Sequence, residues 1–334
     1  MLVSILGEVH PLTFDVLRLL SEREFRSGQA LAVHLDVSRA SVWGALNAAQ
    51  AAGISIHRVH GRGYRLAAPV DWLDAQRIAA QTAGSGLTIE IVNCCASTNA
   101  TLLERADAGF ASGHVLVAEL QTSGRGRLGR QWQSGFANAL TFSVLWRFAK
   151  GAAGLAGLSL AVGVAIARVL RREGVEAQLK WPNDVTWRGS KLAGVLIEVR
   201  GEALGPCVTV IGVGLNVRLD GAHRRRIDQP AVDLVEAGAP PLSRNDRLAK
   251  LLVELATTLR AFAADGFDGL RNEWSRYSAH HDRRVRLSLP DGRQIEGVAK
   301  GVDGEGRLLV ESAGRSAAYA SADVSLRGAD DSCG

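Results

Sequence analysis

The sequence predicts an α+β multidomain chain in three parts, and three features of its 334 residues carry that prediction. Residues 12 to 53 show helical periodicity and run into a short alternating hairpin. From about residue 87, strand-like runs alternate with helices. From Arg283 onward, short alternating runs are punctuated by Asp-Gly turns. The boundaries expected from these changes are 1–68, 69–280 and 281–334.

In the first part, Phe14, Leu17 and Leu20 form one apolar stripe. Ser27 is placed to cap a second helix that turns Leu31 and Leu35 inward, and Ser38 to cap a third running to Gly53. ISIHRVHGRGYRL then alternates as two strands about a Gly-Arg-Gly turn. Three short helices, the last two joined by the tight LDVS turn, followed by a hairpin, make a winged helix-turn-helix. Its DNA-facing candidates are Arg39, Ser41 and Asn47 on the third helix and Arg58, Arg62 and Arg65 on the wing, with Trp43 unusual for a groove face. AAPVDW reads as a linker.

The central part reads in order as LTIEIVN, a helix opened by Ser97-Thr98-Asn99, HVLVAEL, the loop GRGRLGRQW, ALTFSVLW, a long apolar helix and three more strand-like runs, a mixed α/β core. Helical segments at 246–265 and 267–278 close it. PDGRQ and VDGEG are the turns of a small all-β domain.

Composition narrows the function classes. With 47% hydrophobic and 22% charged residues the chain can bury a large core, and a net charge of +5 suits anionic partners without requiring them. Cys94, Cys95, Cys207 and Cys333 form no CxxC pair, which argues against a zinc site or disulfide framework and for a reducing cytosol; no protein metal site is expected. The apolar run at 158–170 is broken by Ser, Gly and Arg and is short for a bilayer, and the first thirty residues lack the order of a signal peptide. The expectation is a cytoplasmic protein without a membrane partner.

Gly124, Gly126 and Gly129 satisfy G-x-G-x-x-G after a strand, but the context refuses a dinucleotide fingerprint. Polar RQWQSG follows in place of an apolar helix, and no acid lies between Glu119 and Glu173. What remains is a flexible loop whose guanidiniums fork onto phosphate or carboxylate oxygens, or a solvated basic loop. In QLKWPNDV, Lys180 ends a strand-like run just before proline turns the chain. In a sequence with only five lysines it is either a chosen point charge or a snorkelling strand end. Lys191, in RGSKLAGVLIEV, sits at the tip of a hairpin return strand. Gly212 and Gly214 stand two apart in VIGVGLNV, which lets a ligand lie against backbone or marks a bulge.

AELQTSGRGRLGRQW, LKWPNDV, KLAGVLIEV and VIGVGLNV, in that order and after an STN triplet, resemble the biotin-protein ligase family, and the winged helix in front resembles that of its bifunctional ligase/repressor members. The resemblance implies a central fold like that of class II aminoacyl-tRNA synthetases and biotin ligases, and a C-terminal SH3-like β-barrel. It implies an enzyme that joins biotin to ATP with Mg²⁺ as biotinyl-5'-adenylate, then transfers biotin to a lysine of the biotin carboxyl carrier protein of acetyl-CoA carboxylase. Ser97, Thr98, Asn99, Gln121, Arg125, Gly126, Arg127, Lys180, Gly212 and Gly214 would then border biotin. Arg127, Arg130, Trp132, Lys180, Asn183 and Asn216 would border ATP, with Lys180, Arg125 and Arg127 catalytic; Asn183 and Asp184 would orient either Mg²⁺ or Lys180. A ligand-dependent homodimer, pairing at an exposed sheet edge near KLAGVLIEV, would bind biotin operon DNA. The alternatives are a ligase whose winged helix no longer reads DNA and a biotin sensor without catalysis. Two departures stand out: Leu128 where the regulatory relative has an arginine, and Ala231 where it has a tryptophan over adenine.

The chemistry gives these residue types independent reasons. A carboxylate attacking the α-phosphate of ATP meets charge repulsion, so positive groups must converge there, and a mobile basic loop admits an anion and then closes over it.

Overall fold

The computed structural model describes residues 10–289, 292–320 and 325–328. Helix α1 (Pro11–Arg18) starts on a proline that needs no donor partner. In α2 (Gly28–Leu35) the Ser27 hydroxyl accepts from the Ala30 N–H, and in α3 (Arg39–Ala51) Ser38 accepts from Ser41, the two caps expected from sequence. Asp36, in the left-handed conformation at φ 52°, ends α2 and makes the tight turn. Strands β1 (Ile56–Val59) and β2 (Gly63–Leu66) form the wing. Phe14, Leu17, Leu20 and Leu31 are buried, and Leu35 is half-buried against them. Gly63, at φ 106°, is required: a Cβ there would lie 2.2 Å from the Arg26 carbonyl, where Arg26 and Tyr64 exchange backbone hydrogen bonds.

The AAPVDW stretch is not a free linker, because it carries groups that the core buries. Hydrogen bonds hold Asp71, Trp72 and Leu73, among them Arg244 Nη1 to Asp71 O, 2.9 Å; Asn245 Nδ2 to Trp72 O, 2.8 Å; and Leu73 N to Glu119 Oε1, 2.7 Å. Glu119 and Arg244 form a fully buried ion pair at 2.7 Å. Phe136 packs on Phe14 and Trp72, joining the winged helix to the central domain.

The central domain runs α4 (Ala75–Gln81), β3 (Thr88–Cys95), α5 (Thr98–Asp107), β4 (His114–Gln121), β5 (Ala139–Phe148), α6 (Leu158–Arg172), β6 (Gln178–Lys180), β7 (Asp184–Trp187), β8 (Ser190–Gly201), β9 (Cys207–Asn216), α7 (Gly221–Arg224), α8 (Arg244–Asp265) and α9 (Arg271–Tyr277). Its seven-stranded sheet has the order β3-β4-β5-β9-β8-β7-β6, and only the β3–β4 pair is parallel. Alternation along β4 builds two cores: Val115 and Val117 join the cluster under α6 and α8, while Leu116 joins Leu102 and Leu103 of α5 on the other face. The helical stretch Ala152–Arg172 is longer than the apolar run read from sequence and matches a membrane span by length and composition, yet 67% of its most apolar window is buried inside the fold. Arg168 on α6 ties Glu254 of α8 and Glu273 of α9 together.

Strand β8 is covered on both sides over only part of its length. In strand order β3 and β6 stand at the ends, and β8 lies between β9 and β7, but only Ala193 and Gly194 pair on both sides: Ser190 and Lys191 pair with β7, and Val195–Gly201 pair with β9 alone. The four-residue β7 is too short to cover the twelve-residue strand that returns from it.

The C-terminal part is a five-stranded antiparallel sheet of β10 (Arg284–Ser288), β11 (Gln294–Val302), β12 (Leu308–Ser312), β13 (Arg315–Tyr319) and β14 (Ser325–Gly328), in the order β13-β12-β11-β10-β14. Its VDGEG turn meets the central domain, where the buried Trp181 Nε1 donates to Gly306 O at 3.1 Å. Cys333 and two residues of the PDGRQ turn lie outside the described residues.

Candidate active site

The parallel register Cys95↔Gln121 brings the ends of β3 and β4 side by side, so the Ser97-Thr98-Asn99 start of α5 falls next to Gln121. Gln121 Oε1 accepts from Thr98 N at 2.8 Å and lies 3.0 Å from Thr98 Oγ1. Ser143, from the middle of β5, places its hydroxyl 2.7 Å from Thr98 Oγ1 and 2.6 Å from Asn99 Oδ1. Asn99 Nδ2 donates to Glu198 Oε2 of β8 at 2.9 Å, and the other oxygen of Glu198 meets the Arg125 guanidinium at 2.8 Å. Ser97, Thr98, Asn99 and Ser143 are buried. A polar network this deep is stable only because each member finds a partner.

The glycine-arginine loop leaves the end of β4 as a small hairpin, not as a strand-to-helix phosphate turn. Trp132 N donates to Gly124 O and Gly126 N to Arg130 O, with a single 3-10 turn at Arg127–Gly129. Leu128 stands at the tip, exposed and at φ 55°. Arg127 Nη1 approaches Asn183 Oδ1 at 3.4 Å, so the tip reaches the segment that carries Lys180. Trp132 folds back over β9: a Cβ on Gly214 would lie 2.3 Å from its ring, and a Cβ on Gly212 would lie 2.2 Å from Asn99 Oδ1. The two glycines therefore make room first for two side chains of the site itself. The Trp132 Nε1 is buried without a partner.

Lys180 is the last residue of β6, half-buried, and among the described residues it makes no ion pair. Lys191 differs. Its ammonium lies 2.7 Å from Asp184 Oδ1, an ion pair off the angle of a hydrogen bond, and 5.8 Å from the Trp132 ring centroid. Asn183 is pinned to β8 by Nδ2 to Val195 O at 2.7 Å. Asn216 donates to Val232 O at 3.1 Å while its Oδ1 is buried without a partner. Ala231 lies where 230–232 zips onto Lys191 through backbone bonds. Arg130 is exposed and stands apart from these groups. Burial pushes the Cys94 thiol up to about 11 and the Cys95 thiol up to about 12, so neither is a nucleophile at neutral pH. Among the described residues no cluster of His, Cys, Asp or Glu can hold a metal ion by itself.

On the winged helix, Arg39 and Ser41 are exposed at the first turn of α3, and Asn47 is half-buried. Trp43 is 51% exposed. Arg58 and Arg62 are exposed, with Arg58 over Tyr64 and Arg62 over Phe25, whereas Arg65 is half-buried and donates to Glu22 O at 2.6 Å.

Sequence reasoning missed Ser143 and Glu198. Ser143 follows Thr141 on one face of ALTFSVLW, and Glu198 is the one polar residue on its face of KLAGVLIEV; polar residues in strands that otherwise read as apolar are the signal that identifies them.

Three family models match the chain: an HTH domain at residues 13–65, the Biotin/lipoate A/B protein ligase family at 92–216, and the Biotin protein ligase C terminal domain at 280–327. The bifunctional ligase/repressor BirA of Salmonella typhimurium is 36% identical over 322 residues, covering 96% of this chain and 98% of that protein. The Escherichia coli protein of the same name is 34% identical, with 94% and 97% covered. The solved structure of the Aquifex aeolicus biotin protein ligase in complex with biotin and ATP superposes with a TM-score of 0.62 at 26% identity, covering 72% of this chain and 99% of that one. Full-length similarity at this level, together with an N-terminal helix-turn-helix and the site above, shows that the chain belongs to the biotin-protein ligase family, in the form that carries a helix-turn-helix domain.

Proposed function

We propose that this chain activates biotin with ATP as biotinyl-5'-adenylate and transfers it to a lysine of a biotin carboxyl carrier protein. The observation that carries the reading is the reach of Arg127 to Asn183, which brings the tip of the basic loop to the segment that follows Lys180, while Arg125 of the same loop meets Glu198 beside the buried Gln121–Thr98–Asn99 network. Thr98, Asn99 and Gln121, with Ser97 and Ser143, form the polar end for biotin. Arg125, Arg127 and Lys180 supply positive charge where the carboxylate of biotin meets the α-phosphate. Preorganised charge of this kind lowers the barrier because two anions must approach and the transition state spreads negative charge over phosphoryl oxygens. Lys180 suits the role because no acid among the described residues neutralises it.

The hairpin loop then keeps water from the acyl-adenylate. Asn216 Oδ1, a buried oxygen without a hydrogen bond, would face the nucleotide and the magnesium ion that would neutralise its phosphates, whereas Asp184 Oδ1 is held by the Lys191 ammonium. For transfer, the acceptor lysine needs only a near-attack position at the activated carbonyl. The test is to incubate the purified chain with Mg-ATP, biotin and a carboxyl carrier domain and to read out both adenylate and biotinyl-lysine; absence of adenylate rejects the proposal.

The remaining assignments belong to the same reading. Residues 1–68, 69–280 and 281–334 act as DNA-binding, catalytic and C-terminal domains. The last is a variant of the SH3-like barrel, and the protein works in the cytoplasm as a ligand-dependent homodimer on operator DNA. A ligase whose winged helix no longer reads DNA is the second reading, favoured by the exposed Trp43 on α3 and by the bond that holds Arg65 to Glu22.

A further inference from the structure

Glu198 closes a chain of side chains that begins at Gln121, and only one placement of protons satisfies its inner links. Leu196 O and Glu198 Oε2 are both acceptors, 3.3 and 2.9 Å from the same Asn99 nitrogen, so that end of the amide is its NH₂. The other end accepts only. The Ser143 hydroxyl, 2.6 Å from Asn99 Oδ1, must therefore donate its single proton there. That leaves Ser143 only lone pairs toward Thr98 Oγ1 at 2.7 Å, and the Thr98 proton serves either Ser143 or Gln121 Oε1. Gln121 Oε1 is already held by the Thr98 backbone N–H. Donation thus runs outward through Ser143 and Asn99 and ends on the Glu198 carboxylate, which also takes Arg125.

We infer that Glu198 is a positioning residue of the biotin site: touching Asn99 and Arg125, it fixes the direction of this chain and keeps Thr98 Oγ1 free of the Ser143 proton, as an acceptor for an N–H of the ureido ring of biotin. The inference rests on the assignment of Thr98 and Asn99 to the biotin pocket. It has a consequence opposite to that of a packing role. In Glu198→Gln the new amide presents its oxygen to the charged Arg125 and its NH₂ to Asn99, because a bond from a cationic donor outweighs a neutral one. Asn99 then flips, Ser143 donates to Thr98, and acceptor capacity at Thr98 is used up. Glu198→Met, similar in length and without donors or acceptors, leaves Asn99 oriented by Leu196 O and Ser143.

The experiment is calorimetric titration of biotin into the full-length chain and the two variants, with melting temperature as a folding control. The expected order is at least a tenfold rise in biotin Kd for Glu198→Gln and about a threefold rise for Glu198→Met, although Met lowers the melting temperature more. Met weakening biotin as much as or more than Gln overturns the inference and leaves Glu198 a packing residue. If the unaltered chain binds no biotin, the biotin reading fails first and this inference falls with it.

Discussion

Two lysines border the site, and among the described residues only one is neutralised. Lys191 is held by Asp184, whereas Lys180 is left for an external anion. Lys180→Ala is therefore expected to cut adenylate formation by roughly two to three orders of magnitude, the scale of losing one preorganised electrostatic contact, with little change in melting temperature. Near-normal adenylate synthesis by the folded variant removes Lys180 from the mechanism. Gly214→Ala tests the neighbouring packing: its Cβ falls 2.3 Å from the Trp132 ring, so Trp132 must leave β9 and ATP affinity should drop, read by nucleotide titration; unchanged affinity separates Trp132 from the nucleotide. The chemistry-bearing residues of exposed turns were legible in the sequence, because glycine, proline and an isolated lysine break the local pattern. Ser143 and Glu198 were not singled out, since a polar residue in an otherwise apolar strand shows its role only when the strands opposite are known.

At the scale of elements, caps and turns were the most legible features. Ser27 and Ser38 cap the helices expected of them because a side-chain oxygen and the N–H it serves lie within one turn. The order of the sheet was not, because pairing partners are distant in sequence; that β7 covers β8 only as far as Gly194 shows only in the paired strands. The hairpin at 124–132 is held mainly by its own backbone bonds and by Trp132. It should exchange amide hydrogens quickly in the free protein and be protected by biotin with ATP. Arg127→Gly, which removes the contact to Asn183, should raise stray biotinylation of bystander lysines; hydrogen exchange unaffected by saturating ligands rejects closure. A second element-scale test concerns Arg168. It holds the Glu273 carboxyl below its ordinary value by direct hydrogen bonds, so the folded state binds protons less readily than the unfolded one. The stability gained is present above the ordinary glutamate range and is lost as pH falls through the lowered value. The gap in melting temperature between the unaltered chain and Arg168→Met should therefore shrink from neutral pH toward acid; a constant gap shows that the ion pair does not link α6 to α9 in this way.

Across the whole molecule, the joint between winged helix and ligase is rigid where the sequence suggested a tether, and this bears on regulation. The buried Glu119–Arg244 pair fixes the 71–73 strap, while Arg18 stacks over Trp72 at 4.0 Å and donates to Asn93 at 3.0 Å. Breaking a buried pair from one side costs about 3–5 kcal/mol because the other charge is stranded; Arg244→Met should cost this much in denaturant unfolding and should open the strap to proteolysis. The winged helix carries seven arginines against five acids in residues 1–68, too small an excess for one copy to grip DNA. Two copies held at a fixed spacing gain avidity only if the spacing matches two half-sites, which a rigid joint permits and a flexible one blurs. Operator binding should accordingly be salt-sensitive and stronger with biotin plus ATP than without, because the ligand must favour the dimer for the two events to couple. It should vanish on deleting residues 1–68 while ligation survives at least in part, and it should weaken in Arg244→Met even where the dimer persists. Footprinting of DNA upstream of biotin-synthesis genes at low salt, with the adenylate bound and the protein dimeric by sedimentation, decides the matter: no protection under those conditions reduces the N-terminal domain to a stabilising module on a ligase, the reading that Trp43 and Arg65 favour.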